Sequence, residues 1–287
     1  MKILKIKSYC KVNLSLRVIK KLKSGYHNIA SLITFCDLHD VMLVTKIKNP
    51  SDEIIFSGKF GKGINKKINT LTKVLSLLRK KKLIGDQAYR ISIKKNIPHG
   101  AGLGGGSSNA ANLLNFFNSK IKPKLSKKKI EELANQIGFD VPVNLYKKNS
   151  FITGKRNKIL KFKKKFKLNL LIVYPNLVCS TERVYKKNKK LSLLHQQPSF
   201  KTINKKKLIN YLQNEQNDLE NTVVSIYPKV KKVIDYIKSQ KGCCFSRITG
   251  SGSACIGIFS NMNNAIYAQK LIKLKYPKYW CVVSKTI

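Results

Sequence analysis

A chain of 287 residues suits one large domain or two modest ones, and its 43% hydrophobic content supports a packed core and excludes wholesale disorder. No stretch approaches the roughly 18–20 continuous apolar residues that span a bilayer. The formal charge of +45 raises nucleic acid or an anionic membrane as a partner, yet the lysines run along the whole chain, with no basic tail and no interleaved aromatics. A lysine-coated, solvated surface is the simpler reading, and RNA binding is the minority one. Met1-Lys2-Ile3-Leu4-Lys5 alternates charge and hydrophobe and lacks the apolar block of a signal peptide, so a cytoplasmic protein is expected. The seven cysteines are odd in number and form no Cys-x-x-Cys pair, and only four histidines accompany them. Reduced, mostly buried thiols and no structural metal are expected.

In chain order, residues 4–9 and 12–18 alternate with period two and predict strands. A Gly25-Tyr26-His27 turn follows, then two further β-rich runs at 31–36 and 41–47. Over 68–82, Leu71, Val74, Leu75 and Leu78 recur at helical spacing, and the basic end suits a helix C-terminus. Residues 89–95 alternate again and run into a glycine loop, after which 108–117 resume as a helix. Ser126 caps a helix to 137 with Ile130, Leu133, Ala134 and Ile137 on one stripe and Gly138 as terminator. Lysine-rich 158–167 marks a seam that divides the chain into 1–163 and 164–287. Beyond it come an apolar strand at 168–174, a polar surface loop or lid over 186–207, and helices at 205–213 and 228–239. The chain closes with strands at 245–249 and 255–259 around a Gly-Ser turn, a helix at 263–274 and a strand near 279–285. There is no internal repeat; the pattern is α+β in two lobes.

The strongest chemical signal is Pro98-His99-Gly100-Ala101-Gly102-Leu103-Gly104-Gly105-Gly106-Ser107-Ser108 between a strand and a helix. Glycines let backbone N–H groups converge on one point, and the helix start adds unsatisfied amides and its positive dipole end. Ser107 and Ser108 add hydroxyls for phosphate oxygens or magnesium. This is an anion cradle rather than a flexible linker, which would not sit tightly between two regular elements. The Lys-Ser/Thr of a Walker loop is absent, and no acidic residue stands about twenty positions on as in a dinucleotide fold. A second glycine turn, Thr249-Gly250-Ser251-Gly252-Ser253-Ala254, is either an ordinary hairpin or a second wall of the same site. Among only 13 acidic residues, Asp140 lies between Phe139 and Val141-Pro142, an apolar setting for a base that accepts a hydroxyl proton. Its spacing also fits a helix N-cap with Pro142 in the first turn, and on spacing alone the cap is the favoured reading.

Assembled, these residues resemble the GHMP kinases over nearly the whole chain: Cys10-Lys11-Val12-Asn13-Leu14, Gly25-Tyr26-His27, the loop from Pro98 to Ala111, Gly138-Phe139-Asp140-Val141-Pro142, Asn217-Asp218-Leu219-Glu220 and the Gly-Ser turn. Lys-x-Asn-Leu followed by Gly-Tyr-His points to the branch acting on a cytidine-diphosphate-linked methylerythritol. The resemblance implies transfer of the ATP γ-phosphoryl group to the 2-hydroxyl of that polyol in non-mevalonate isoprenoid synthesis, with magnesium arriving as Mg-ATP. It implies an N-terminal lobe like a domain of ribosomal protein S5 and a ferredoxin-like C-terminal lobe. By the same analogy Asp140 is the base and Lys11 its electrostatic partner; Asn13, Tyr26, His27 and Tyr185 surround the cytidine end, with Gly250 and Gly252 on the substrate side. Pro98, Gly100, Gly102, Gly104, Gly105, Gly106, Ser107 and Ser108 hold phosphates, and Asn69 and Lys95 contact adenine. His99 stands where a small or apolar residue is usual, and Ile68-Asn69-Thr70 where Asp-Asn-Leu is usual. Other acceptors within the family (mevalonate, homoserine, a sugar), a basic S5-like RNA-binding protein and a non-catalytic nucleotide module are the alternatives. The last two leave Asp140 without a task. Small-molecule substrates, no membrane, and a monomer or weak dimer are expected.

Overall fold

The computed structural model describes residues 4–23, 25–153, 158–193 and 199–287. The elements begin with β1 (Leu4–Asn13), β2 (Arg17–Lys21), β3 (His27–Lys46), β4 (Glu53–Ser57), α1 (Thr70–Lys80), β5 (Tyr89–Lys94) and α2 (Gly105–Asn118). Next are α3 (Lys127–Ile137), α4 (Val141–Asn144), β6 (Ser150–Thr153), β7 (Lys158–Lys161) and β8 (Asn169–Tyr174). The remainder is α5 (Thr181–Lys187), α6 (Lys205–Asn214), α7 (Glu220–Ile226), α8 (Lys229–Lys238), β9 (Cys243–Ile248), β10 (Cys255–Phe259), α9 (Met262–Lys275) and β11 (Trp280–Lys285). Among the described residues, no helix is long and apolar enough to cross a membrane. Two compact units emerge, each discontinuous in sequence.

The first unit takes the residues up to Lys11, Leu38–His99 and Gly104–Lys147. Here the second half of β3 pairs antiparallel with β5, from Val41 opposite Lys94 to Lys46 opposite Tyr89, and β4 runs parallel to β5. Met42, Val44, Ile91 and Ile93 meet Leu71, Val74, Leu75 and Leu78 of α1, Leu113, Leu114 and Phe117 of α2, and Ile130 and Leu133 of α3 in one core. Each such side chain removed from water contributes about 1.5–3 kcal/mol, so helix periodicity and strand alternation converge on one hydrophobic layer.

The second unit takes Val12–Asp37, Gly100–Leu103 and Lys148–Ile287. Its four-stranded sheet has the order β11-β8-β10-β9 with antiparallel neighbours. With helices between β8 and β9 and again between β10 and β11, this is a ferredoxin-like βαββαβ arrangement. Val230, Val233 and Ile237 of α8 and Ala265, Ala268 and Ile272 of α9 cover it, packing on Leu171, Val173, Ile248 and Phe259. In the same unit β2 pairs with the start of β3, and β6 pairs with residues 31–33 of β3 and with β7.

Several local expectations change. The two runs at 31–36 and 41–47 join in one 20-residue strand, β3, which continues through the half-buried Asp37, Leu38 and His39 and the buried Asp40. The run at 12–18 breaks between β1 and β2, where Leu14 N bonds Leu32 O and Leu16 pairs with Asn217. Helix α2 begins at Gly105, three residues before the expected start at 108, with Gly104 as its N-cap in the left-handed region. The segment 186–207 overlaps α5 and α6 at its two ends, while 194–198 lie outside the described residues. Lys186 and Lys187, read as loop, form the last turn of α5, where cations suit the helix dipole, and Ser180 caps its start.

Candidate active site

In the first unit, β1 delivers Lys11 and the N-terminal end of α4 delivers Asp140. Lys11 Nζ stands 3.0 Å from Asp140 Oδ2, the lysine side chain 4% exposed and the carboxylate 42% exposed. Asp140 occupies the N-cap position of α4, yet its side chain accepts no capping bond; only its main-chain carbonyl is used, by Asn144 Nδ2 at 2.6 Å. Of the two roles its spacing allows, the carboxylate is not spent on the cap. The outcome is an ammonium with little access to water beside an accessible carboxylate. The outward carboxylate face is left able to accept a hydrogen bond.

The start of α2 is built around that lysine. Gly104 has φ +66°, and a Cβ there would lie 2.4 Å from Lys11 Cγ. Any other residue would be strained and would push the ammonium away. Ser108 N closes the first turn on Gly104 O at 2.8 Å, and Thr70 Oγ1 donates to Gly106 O at 3.0 Å, tying α1 to the same turn. Gly106 is exposed and Ser107 half-buried, whereas Gly105 and Ser108 are buried. Pro98 is buried and His99 exposed to solvent.

Both residues expected at adenine are engaged by the protein itself. Asn69 forms a capping box for α1: Oδ1 accepts from Leu71 N at 2.9 Å and Thr72 N at 3.1 Å, and Nδ2 donates to Asn65 O and Lys66 O, each at 3.0 Å. Lys95 is buried and ion-paired with Asp40.

Asp40, unremarked in the sequence, is fully buried, and its two oxygens receive four donors. Oδ1 accepts Asn96 N at 2.7 Å and Ile97 N at 2.9 Å; Oδ2 accepts Asn109 Nδ2 at 3.1 Å and Lys95 Nζ. It thereby binds the segment entering the glycine loop to the helix leaving it. Two signals were available: Asp40 is one of only 13 acidic residues, and it follows an apolar run in strand register.

In the second unit, the loop tip Gly100–Leu103 packs on the Gly-Ser turn. A Cβ on Gly102, whose φ is +76°, would lie 2.0 Å from Thr249 O, and Ala254 N donates to Ala101 O at 3.2 Å. Gly250 lies against Gly102, and Gly252 N bonds Thr249 O at 3.0 Å. Gly100 O accepts Cys179 N at 2.9 Å. Asn13 N donates to Thr249 Oγ1 at 2.9 Å, and Asn13 Nδ2 to Ser31 Oγ at 2.7 Å.

His27, at the start of β3, and Tyr185, on α5, bring their rings to 5.0 Å with 33° between planes, while the neighbouring Tyr26 is half-exposed. Burial, and then the Lys21 charge, lower the His27 pKa below its ordinary value. A neutral imidazole offers one donor and one acceptor, which suits reading the edge of a heterocycle.

Residues 69–148 match the family described as GHMP kinases N terminal domain, and residues 197–274 match GHMP kinases C terminal. A relative from Pelagibacter ubique, named 4-diphosphocytidyl-2-C-methyl-D-erythritol kinase, is 41% identical over 99% of both chains. This chain belongs to the GHMP kinase family. A Caldicellulosiruptor bescii relative of the same name is 32% identical over 94% of each chain. Among solved structures, a 4-(cytidine 5'-diphospho)-2C-methyl-D-erythritol kinase superposes with a TM-score of 0.73 at 25% identity, covering 98% of this chain and 99% of that one. Homoserine kinase from Cytophaga hutchinsonii gives 0.72 at 16% identity over 100% and 95%, a likeness of fold.

A GHMP kinase uses ATP, and the cradle fits its phosphates: glycine at 104 lets the Lys11 stem, which a Cβ would strike, pack against the start of α2. Among the described residues, no group of three or more His, Cys, Asp or Glu side chains could hold a metal ion. Magnesium carried in by a nucleotide needs few protein oxygens, and the Ser107 hydroxyl and Asp140 carboxylate are of the hard-donor kind it accepts.

Proposed function

We propose that this GHMP kinase transfers the γ-phosphoryl group of ATP to the 2-hydroxyl of 4-(cytidine 5'-diphospho)-2-C-methyl-D-erythritol, a step of non-mevalonate isoprenoid synthesis. The observation that carries the chemistry is the Lys11–Asp140 pair at 3.0 Å, its lysine stem packed on Gly104 at the mouth of α2. Asp140 accepts the proton of the acceptor hydroxyl as the oxygen bonds to phosphorus. Lys11 opposes the negative charge that develops. Backbone amides at Gly105, Gly106 and Ser107 receive phosphate oxygens, the orientation that a phosphoryl transfer chiefly needs. Ser107 and Asp140 would hold a magnesium ion arriving with ATP, which would supply neutralisation of phosphate charge. Tyr185 and Tyr26 offer faces to a cytosine and His27 reads its edge, so the nucleotide half of the acceptor provides binding energy remote from the reacting hydroxyl.

The test is ADP release by the purified protein with Mg-ATP across a panel: the cytidyl polyol, the same polyol phosphate without cytidine, mevalonate, homoserine and galactose. Release is expected with the first alone. Equal kcat/KM without the cytidine would move the protein to another acceptor class. Asp140→Asn is expected to lower kcat by about 10³-fold while ATP still binds; turnover near the parent rate would remove Asp140 from the role of base.

A further inference from the structure

The segment Asn217-Asp218-Leu219-Glu220 has no task in the chemistry above, yet its first three residues are buried and its polar side chains bond to backbone. Asn217 is 5% exposed. Its Nδ2 donates to Gly250 O at 2.8 Å and to Ile248 O at 3.2 Å, and its Oδ1 accepts from Leu219 N at 3.0 Å. Glu220 Oε2 accepts from Ile248 N at 2.9 Å. Ile248 is thus held at both its amide and its carbonyl, and Gly250 at its carbonyl. Asp218 Oδ2 accepts Val18 N at 2.8 Å, and Arg247 donates to Leu14 O at 3.0 Å and Leu212 O at 2.6 Å, which fixes the frame around these bonds.

These contacts fall where the backbone has most freedom. Gly250 and Gly252 have φ of +56° and +76°, and the glycine that begins the Gly250–Ser251 peptide leaves its carbonyl several orientations. A donor fixed on the Gly250 carbonyl selects one of them. That selection reaches the loop tip, because Thr249 O leaves no space for a Cβ on Gly102 and Ala254 N bonds Ala101 O.

We propose that Asn217 is a positioning residue for phosphoryl transfer: by fixing the carbonyls of Ile248 and Gly250 it gives turn 249–254 the shape on which the tip Gly100–Leu103 packs, and so sets the conformation in which the glycine loop holds phosphate. This rests on the reading of that loop as the nucleotide cradle. The sequence signal, the motif from Asn217 to Glu220, marked the family without disclosing that its asparagine serves backbone carbonyls.

The deciding variant is Asn217→Asp in the full-length enzyme, near-identical in shape, whose carboxylate cannot donate. At pH 8 the KM for ATP is expected to rise about tenfold with kcat changed less than about threefold, the loss of one to two hydrogen bonds. As pH falls toward 6, protonation of the new carboxyl restores one donor, and the KM ratio of variant to parent should shrink. A purely structural asparagine would lower the folded fraction without either signature. An ATP KM within about twofold of the parent in folded Asn217→Asp overturns the proposal. Gly104→Ala, measured alongside, separates it from the reading beneath: an unchanged ATP KM there overturns the cradle itself, whereas a raised one with Asn217→Asp silent overturns only the role of Asn217. Should Asn217→Asp fail to fold, Asn217→Ser, neutral and still able to donate once, carries the same test with an expected rise of about threefold.

Discussion

The glycine loop is anchored in two places by different physics. Its entry and exit, residues 95–97 and Asn109, converge on one fully buried carboxylate, Asp40, that is paired with a buried ammonium. Its tip, Gly100–Leu103, rests on a turn whose carbonyls are held by the neutral amide of Asn217. In a dry interior an ion pair is worth little beyond what its desolvation costs, but removing one partner strands a charge. Neutral hydrogen bonds are lost one at a time, each at about 1 kcal/mol. The charged anchor should therefore fail as a unit and the neutral one by degrees.

The largest expected effect is at the charged anchor. Asp40→Asn leaves Lys95 buried without its partner and should cost about 3–5 kcal/mol, read from the urea midpoint. Replacing both, Asp40→Asn with Lys95→Met, should recover all but about 1–2 kcal/mol, because a neutral pair of similar size needs no compensation. A single variant as stable as the parent would show that Lys95 is not confined as the comparison requires. Gly102→Ala comes next. Its Cβ would meet Thr249 O at 2.0 Å with φ at +76°, so the tip and turn must part. A loss of about 1–3 kcal/mol and a raised KM for ATP are expected. An unaltered KM would detach the tip from nucleotide binding.

Elements whose sequence signal is their own packing were legible. The stripe Ile130, Leu133, Ala134, Ile137 with Ser126 before it and Gly138 after it gives α3 as observed, and the alternation of 89–95 gives β5. The start of α2 was obscured because Gly104, Gly105 and Gly106 carry no helix propensity; there the helix is fixed by Lys11 packing on Gly104 and Thr70 bonding Gly106. The pairing of Lys11 with Asp140 spans 129 positions, which no local pattern encodes; it comes from resemblance, and the spacing alone favours Asp140 as a cap. Asp40 is obscured because it falls between the strand runs at 31–36 and 41–47, in a polar stretch that reads as a connection. Its burial depends on four donors from residues 95, 96, 97 and 109. Asn69 and Lys95 show the converse: the polar residue types were noticed, while the partners that occupy them could not be.

The smallest expected effect tests whether the tip anchor is as neutral as the comparison holds. Glu220 sits beside Asn217 on the same backbone, and burial raises its pKa, with the Ile248 N–H and then the Arg247 and Lys231 charges drawing it back in part. The folded protein therefore holds this proton more tightly than the unfolded chain, whose glutamates titrate near about 4.3. Between that value and the raised folded one the native state binds more protons, so the contribution to stability is full below the unfolded value and is lost as pH rises through the folded one. Glu220→Gln keeps an acceptor for Ile248 N and removes the titration. The stability of the variant relative to the parent should thus climb as pH is raised from 4 toward neutrality, by less than the loss in Gly102→Ala, as read by urea midpoints at each pH. A difference that stays flat would mean that Arg247 balances the Glu220 charge in full, and the tip would then be held by an ion pair much as the entry and exit are.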